Sequence, residues 1–328
     1  MQKFSAKSLV TEEINGQFIS SIQNINLAKL SEGEVRIKTR FSSLNYKDAL
    51  SASGHKGVTR DYPHIAGIDV AGEIFESNSD IWQIGDEVIC TGFDLGMNRD
   101  GGFSEFVSVP AHWCIRKPDN LSLKDTMIFG TAGLTAALSS LKIINSLTPN
   151  QNTKILITGA SGGVGLLTAL LLKRFGFHIT ISTRNLKNSF LENYQFDEII
   201  ATETLNLETN KPIHKRQFNA AIDTLGGNIL SNILKIIDYH GTVISCGNIC
   251  GNEYNSSIIP MIIRGVDLIG ITSANAKMSE REQAWKLLND NQSIINDSIY
   301  RQINLEEVND FISKMLAGKH NKRTVIAF

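Results

Sequence analysis

The sequence predicts an α/β protein in which a doubly wound parallel sheet is inserted into a β-rich domain. Three observations predict it. Short alternating or β-rich runs punctuated by glycine and proline, such as "EVRIKTRFSSL", "AGEIFES" and "GDEVICTG", fill the first hundred-odd residues. From about Ser122 the texture changes to longer apolar segments at helical spacing, alternating with strand-like runs. At the far end "RTVIAF" reads as a strand with no neighbour in sequence, and the first domain offers the sheet it needs.

In order, "KDTMIFGTAGLTAALSSLKII" reads as a helix, "KILITG" as a strand and "GLLTALLLKRFG" as a helix. Strands recur at "HITIST", "DEIIAT", "NAAIDT", "GTVISCG" and "VDLIGIT", with the helical stretch "NILSNILKIIDYH" among them. Strand and helix alternating in this way imply right-handed crossovers and a parallel sheet. "REQAWKLLNDNQ" and "EEVNDFISKMLAGK" then read as two amphipathic helices. The expected division is 1–123 for the first part of the β-rich domain and 124–265 for the doubly wound domain. Residues 266–328 are expected to supply an edge strand, two helices and the return to the β-rich domain. A cleft between domains is the expected ligand site.

At 328 residues, two domains are the default. The formal net charge of -1 offers no field for gathering a polyanion, so a small-molecule partner is expected and nucleic acid is not. The N-terminus lacks the charged start and apolar core of a signal peptide, and no run approaches the roughly 20 apolar residues of a membrane span, which reads as a soluble, cytoplasmic chain. Cys90, Cys114, Cys246 and Cys250 are too few and too scattered for a disulfide framework and read as reduced thiols.

The stretch "TGASGGVG" carries the first chemistry. Gly159, Gly162 and Gly165 fall three apart, with Gly163 added, between a strand and a helix. Such a loop lets the backbone approach a pyrophosphate at a helix N-terminus, making Ser161, Gly162, Gly163 and Val164 candidate cofactor contacts. An acid at the end of the next strand would read an unmodified ribose 2′-hydroxyl. Here that strand ends in Ser182, Thr183 and Arg184, with Lys187 shortly after. Hydroxyls and a guanidinium suit a 2′-phosphate, so the expected cofactor is NADPH. Thr224 and the run Cys246, Gly247, Asn248 stand at later strand ends and join the candidate contacts.

The ordered set "SSLNYKDAL", "YPHIAGIDVAGEI", "GDEVICTG", "DGGFSEFVSVPA", "GTAGLTAAL", "ITGASGGVG" and "IDTLGG" resembles the zinc-independent medium-chain dehydrogenases/reductases. Within them it is similar to the subfamily of quinone oxidoreductases and acrylyl-CoA reductases. The resemblance runs from about Ser42 to Thr324 and implies a Rossmann domain inserted in a GroES-like catalytic domain. Zinc-dependent members place a cysteine near the first motif and a His-Glu pair near the second. This chain has Asn45, Tyr46, Lys47 and Asp48 at the first and Ile68, Asp69 at the second, and His55 and His64 stand at no ligand-like spacing. No catalytic metal is therefore expected.

Without a Lewis acid, hydride addition to an already activated C=C or quinone is easier than alcohol oxidation. The resemblance places Tyr46 beside the nicotinamide, to orient the ring or donate to a developing enolate, with Asn45 orienting the same group and Asp48 holding the loop. It brings Arg323 back to the cofactor, or else Arg323 caps the last strand; Arg264 reads as a domain or subunit contact. The glycine-rich "TGFDLGMNRDGGF" is a candidate substrate wall. The expected reaction is NADPH-dependent reduction of acrylyl-CoA to propanoyl-CoA, with a quinone or enone reductase as the rival enzyme and a non-catalytic NADPH sensor as the rival of another class. By family likeness a homodimer is expected, through an edge strand such as "VDLIGIT".

Overall fold

The computed structural model describes residues 5–186, 189–207 and 211–328. The chain divides into two compact units, Met1–Thr131 with Ala274–Phe328 and Ala132–Ser273. The first join lies inside the long apolar helix and the second just past the last strand of the inserted sheet.

The inserted unit carries six parallel strands in the spatial order Glu198–Ala201, His178–Thr183, Lys154–Ile157, Phe218–Asp223, Ile237–Ser245, Asp267–Gly270. Numbered along the chain this is 3-2-1-4-5-6, with the reversal between Lys154–Ile157 and Phe218–Asp223, where open α/β sheets bind ligands at strand C-termini. Strands buried on both faces explain the near-continuous apolar runs. Leu156, Ala221 and Val243 are fully buried, and the helix Gly227–Ile236 packs on them through Ile229, Ile233 and Leu234. That helix is shorter than its periodicity predicts. The chain turns extended at Ile237, and the β-rich "IDYHGTVIS" joins the sheet instead, with a register shift opposite Phe218 and Ala220 and a positive φ at His240.

The other unit is a β structure of two sheets. Gln17–Asn26, Ser5–Ile14 and His64–Ile65 form an antiparallel three-stranded sheet. A seven-stranded sheet runs Tyr300–Asn304, Arg323–Ala327, Glu34–Leu44, Asp69–Ser77, Glu87–Thr91, Ile115–Arg116, with Phe106–Pro110 also pairing Glu34–Leu44. The terminal strand finds its partner here, with Thr324 opposite Leu44 and Ala327 opposite Phe41. The sheet is mixed rather than purely antiparallel, because Tyr300–Asn304 pairs parallel to Arg323–Ala327. Val35, Ile37, Val70 and Ile74 fill one side, and the helix Val308–Leu316 adds Val308 and Ile312 to a second core with Leu9, Leu44 and Ile326.

Leu123–Ser146 has the length and hydropathy of a membrane span, which the sequence reading did not register. Its apolar window is 78% buried within the protein, and its backbone leaves the helical region at Gly130 (φ 52°, ψ -153°), so it is a core element rather than one uninterrupted helix.

His320 shows how the return segment responds to pH. Burial, together with the charges of Arg301 and Arg323, lowers its imidazole from 6.5 to about 4, and its Nε2 lies 2.9 Å from the Thr324 hydroxyl. Above pH 6.5 the ring is neutral whether folded or unfolded. Between 6.5 and 4 only the unfolded state takes the proton, so stability is lost as pH falls through that window. The ring is only partly buried, so the full shift is discounted to about 1–2 kcal/mol. Thermal midpoints of His320→Gln should fall less steeply from pH 6.5 to 4 than those of the parent; parallel curves would show that other groups carry the acid sensitivity.

Candidate active site

In the inserted unit the glycine loop connects Lys154–Ile157 to the helix Gly163–Arg174, whose N-cap is Gly162. Gly159 takes φ +62°, and a Cβ on Gly165 would come within 2.6 Å of the Gly159 carbonyl oxygen. Only glycine permits so tight a turn with the helix seated directly on it. Ser161, Gly163 and Val164 are partly exposed and Gly162 is exposed, while Thr158 and Ala160 are buried. The crest thus presents the N–H groups that a helix's first turn leaves without intrahelical partners.

The base of the loop is braced by Thr158 and Asp223, which the sequence reading passed over, together with the candidate Thr224. Thr158 Oγ1 donates to Asp223 Oδ1 at 2.7 Å and accepts from the Thr224 N–H at 2.9 Å, and Thr224 Oγ1 donates to the Thr158 carbonyl at 3.0 Å. Asp223 also accepts the N–H groups of Leu225 and Gly226, and burial raises its carboxyl above the ordinary value. Thr224 therefore fixes the loop through its hydroxyl. The signal was present in "IDTLGG", since a buried acid requires donors.

Cys246 and Gly247 are partly buried and Asn248 is exposed, at the C-terminal end of Ile237–Ser245. Burial and the nearby Asp223 charge push the Cys246 thiol up to about 12, and its Sγ donates to the Asp223 carbonyl at 3.6 Å. It is a neutral packing group. At the end of His178–Thr183 the three candidates separate. Ser182 is fully buried with its hydroxyl 3.5 Å from that of Thr202, and Thr183 bonds to the backbone of Asn185. Arg184 is exposed and has no hydrogen-bond or ionic partner among the described residues. Lys187 lies outside the described residues.

In the β-rich unit, strand Glu34–Leu44 runs into Asn45, the N-cap of a helix Tyr46–Ala52. Asp48 Oδ2 accepts the Asn45 N–H at 2.7 Å, and its Oδ1 accepts the N–H groups of Gly67 (3.2 Å) and Ile68 (2.9 Å). Burial, reinforced by the charge of Asp69, pushes the Asp48 carboxyl up to about 7. Asp69 is itself fully buried. It accepts from Ser43 Oγ (2.6 Å), Asn45 Nδ2 (2.7 Å), Thr131 Oγ1 (2.6 Å) and the Thr131 N–H (2.9 Å and 3.0 Å). This carboxylate explains why residue 130 is glycine: a Cβ there would run into Asp69 Oδ2 and lie 2.6 Å from Ser43 Oγ.

Arg323 completes the cluster. It is 4% exposed, and it donates through Nε to the Ile128 carbonyl (2.9 Å), through Nη1 to the Leu44 carbonyl and Asn45 Oδ1 (both 3.3 Å), and through Nη2 to Ser43 Oγ (3.1 Å). The Asn45 amide is thus committed to Asp69 and Arg323, whereas Tyr46 is 45% exposed and its phenol has no partner among the described residues. The loop after Thr91 is held firmly. Phe93 stacks on Trp113 at 4.9 Å, and the Arg281 guanidinium lies 4.0 Å from the Phe93 ring centre. Arg264 donates to the carbonyls of Lys235 and Ile237 inside its own unit.

Two family models match the chain, an alcohol dehydrogenase GroES-like domain over residues 31–119 and a zinc-binding dehydrogenase domain over residues 163–290. "Putative quinone oxidoreductase YhfP" of Bacillus subtilis is 36% identical over 93% of each chain, and "Probable acrylyl-CoA reductase AcuI" of Escherichia coli is 31% identical over 98% of this chain and 99% of its own. The chain belongs to the medium-chain dehydrogenase/reductase family, in the subfamily of YhfP and AcuI. Among solved structures of the family, the YhdH oxidoreductase of Salmonella enterica in complex with NADP superposes with a TM-score of 0.93 at 30% identity, covering 98% of this chain and 99% of that one. YhfP with NAD bound superposes with a TM-score of 0.93 at 34% identity, covering 99% of this chain and 100% of that one.

The zinc in the second model's description is not matched by the residues here. A catalytic zinc needs free N, S or O donors and an open position. Both Asp69 oxygens are taken by hydrogen-bond donors, Asn45 offers an amide already engaged at both ends, and no group of three His, Cys, Asp or Glu among the described residues is disposed to hold a metal.

Proposed function

We propose that this chain is an NADPH-dependent reductase of activated C=C bonds, with acrylyl-CoA, reduced to propanoyl-CoA, as its leading substrate. Arg184 is the observation that carries the cofactor reading: an exposed guanidinium with no partner among the described residues stands at the strand end where an acid would be needed to prefer NAD. Full-length similarity to AcuI supports the acceptor, and the NADP bound in YhdH supports the phosphate. NADPH, when bound, supplies the hydride for the carbon β to the thioester carbonyl. The glycine crest from Ser161 to Val164 holds the pyrophosphate, with Thr224 bracing it and Gly247 and Asn248 bordering it. Thr183 and Arg184 take the 2′-phosphate; Ser182 serves only through packing. The Tyr46 phenol donates a hydrogen bond or proton toward the acceptor as enolate charge develops.

Quinone or enone reduction is the second reading, supported by the 36% identity to YhfP. Purified enzyme is expected to oxidise NADPH with acryloyl-CoA at a kcat/KM above that with any quinone or enone. The reverse order favours the second reading, and tight NADPH binding with no turnover on any acceptor favours a sensor. Tyr46→Phe should lower kcat by about 10²-fold, within the range for loss of a positioned proton donor; unchanged turnover would remove the phenol from the chemistry. We also propose a homodimer built on the sheet edge at Asp267–Gly270, where Ile262 and Ile263 of the preceding helix are 68% and 53% exposed.

A further inference from the structure

We infer that Arg323, acting with Asp69, is a positioning residue for Asn45 and Tyr46 and not a ligand of the cofactor. The inference rests on the reading of Tyr46 given above, and it assigns the work of keeping that tyrosine in place.

The register of the sheet sets up the contact. Thr324 pairs with Leu44, so Arg323 begins its strand at the level where the neighbouring strand ends and turns into Asn45. Each of its three guanidinium nitrogens donates to a partner in the same unit, and two of those partners are the Leu44 carbonyl and the Asn45 amide oxygen. Asp69 holds the other end of that amide at 2.7 Å, and Ser43 Oγ joins the two charges by donating to Asp69 and accepting from Arg323. Asp48 adds a third hold on Asn45 through its backbone N–H. Asn45 is thereby fixed at its amide oxygen, its amide nitrogen and its main chain, immediately before Tyr46, whose own side chain is exposed and has no partner among the described residues.

Such an arrangement suits preorganisation. Reaction rates are steep in the placement of a donor, and a misplacement of about 1 Å can cost 10²-fold. A planar fork with fixed donor directions specifies a position in a way that a lysine ammonium cannot. Four of the five Arg323 N–H groups are given to partners in its own unit, and at 4% exposure the side chain has almost no surface from which to reach a phosphate.

The test uses Arg323→Lys, which keeps the charge and loses the fork, and Asn45→Ala, which removes the shared amide with less risk to folding. Three quantities are read: the NADPH dissociation constant by fluorescence titration, kcat on the best acceptor, and the Tyr46 ring resonance in protein labelled with ¹³C-tyrosine, assigned by its loss in Tyr46→Phe. Both variants are expected to bind NADPH within about twofold of the parent, to shift the Tyr46 resonance, and to lose about 10–100-fold in kcat. The double variant should lose no more than the worse single one, because both act on one contact. A tenfold weaker NADPH affinity in Arg323→Lys with an unmoved Tyr46 resonance would overturn the inference in favour of a cofactor ligand. A lowered melting temperature with unmoved resonance and kcat would reduce the cluster to structural support. If the parent turns over no acceptor, the proposed reaction fails, while the titration and the resonance still decide the role of Arg323.

Discussion

Replacing Arg184 with alanine is expected to lower kcat/KM with NADPH by about 10–100-fold while leaving kcat/KM with NADH within about twofold. A hydrogen bond to a charged group contributes about 1.5–3 kcal/mol, which is the source of that range. The effect should be clean because Arg184 has no partner among the described residues to release or strand. Its exposure keeps salt in play, so the preference for NADPH should also weaken as ionic strength rises. Steady-state kinetics with both cofactors measure it. An unchanged NADPH-to-NADH ratio would make Arg184 a solvated surface charge and leave the choice of phosphate to some other group.

Asp69→Asn is expected to destabilise the protein by about 2–4 kcal/mol, because hydrogen bonds to a charged group contribute about 1.5–3 kcal/mol each and the amide keeps only some of them. The substitution is nearly isosteric, so the loss does not come from packing. Ser43, Asn45 and Thr131 all point donors at the carboxylate, and an amide would turn its own N–H₂ toward some of them. Arg323, buried at the same site, would lose the negative charge that supports its protonated form. Urea unfolding followed by circular dichroism and tryptophan fluorescence should show the shift. A change below about 1 kcal/mol would mean that the pocket admits water to satisfy the stranded groups. Asp69→Glu offers a contrast, since it retains the charge but cannot fit the space left by Gly130.

Much of this architecture can be read from local sequence, because a parallel sheet buried on both faces is written in short apolar runs and its glycine loop in fixed spacing. The cofactor loop follows the same logic at Gly159 and Gly165. Other features are set by partners far away in the chain. Nothing in "IFGTAGL" marks a broken helix, for the apolar spacing continues through it; at the break the Thr131 N–H donates to Asp69, and only a glycine at 130 leaves room beside that carboxylate. Ser182 was expected at the ligand because it precedes a strand end. The strand is buried on both faces, so a hydroxyl inside it meets Thr202 instead. Asp69 was weighed only as a poor metal ligand, and its role emerges once the chain's last strand brings Arg323 beside it.

That last strand has a consequence for how the protein is made. Arg323–Ala327 lies inside its sheet, between Tyr300–Asn304 and Glu34–Leu44, so the sheet cannot be completed until this late strand leaves the ribosome. At about 5–20 residues per second, Asp69 waits tens of seconds for Arg323. During that interval Ala132–Ser273, contiguous in sequence, can reach its native contacts first, while the strand Glu34–Leu44 keeps an open edge beside a buried-type acid. Newly made chains are therefore most exposed to misassembly and chaperone capture in their first third, and translation stalled before Arg323 should release a nascent protein with one finished half and one unfinished.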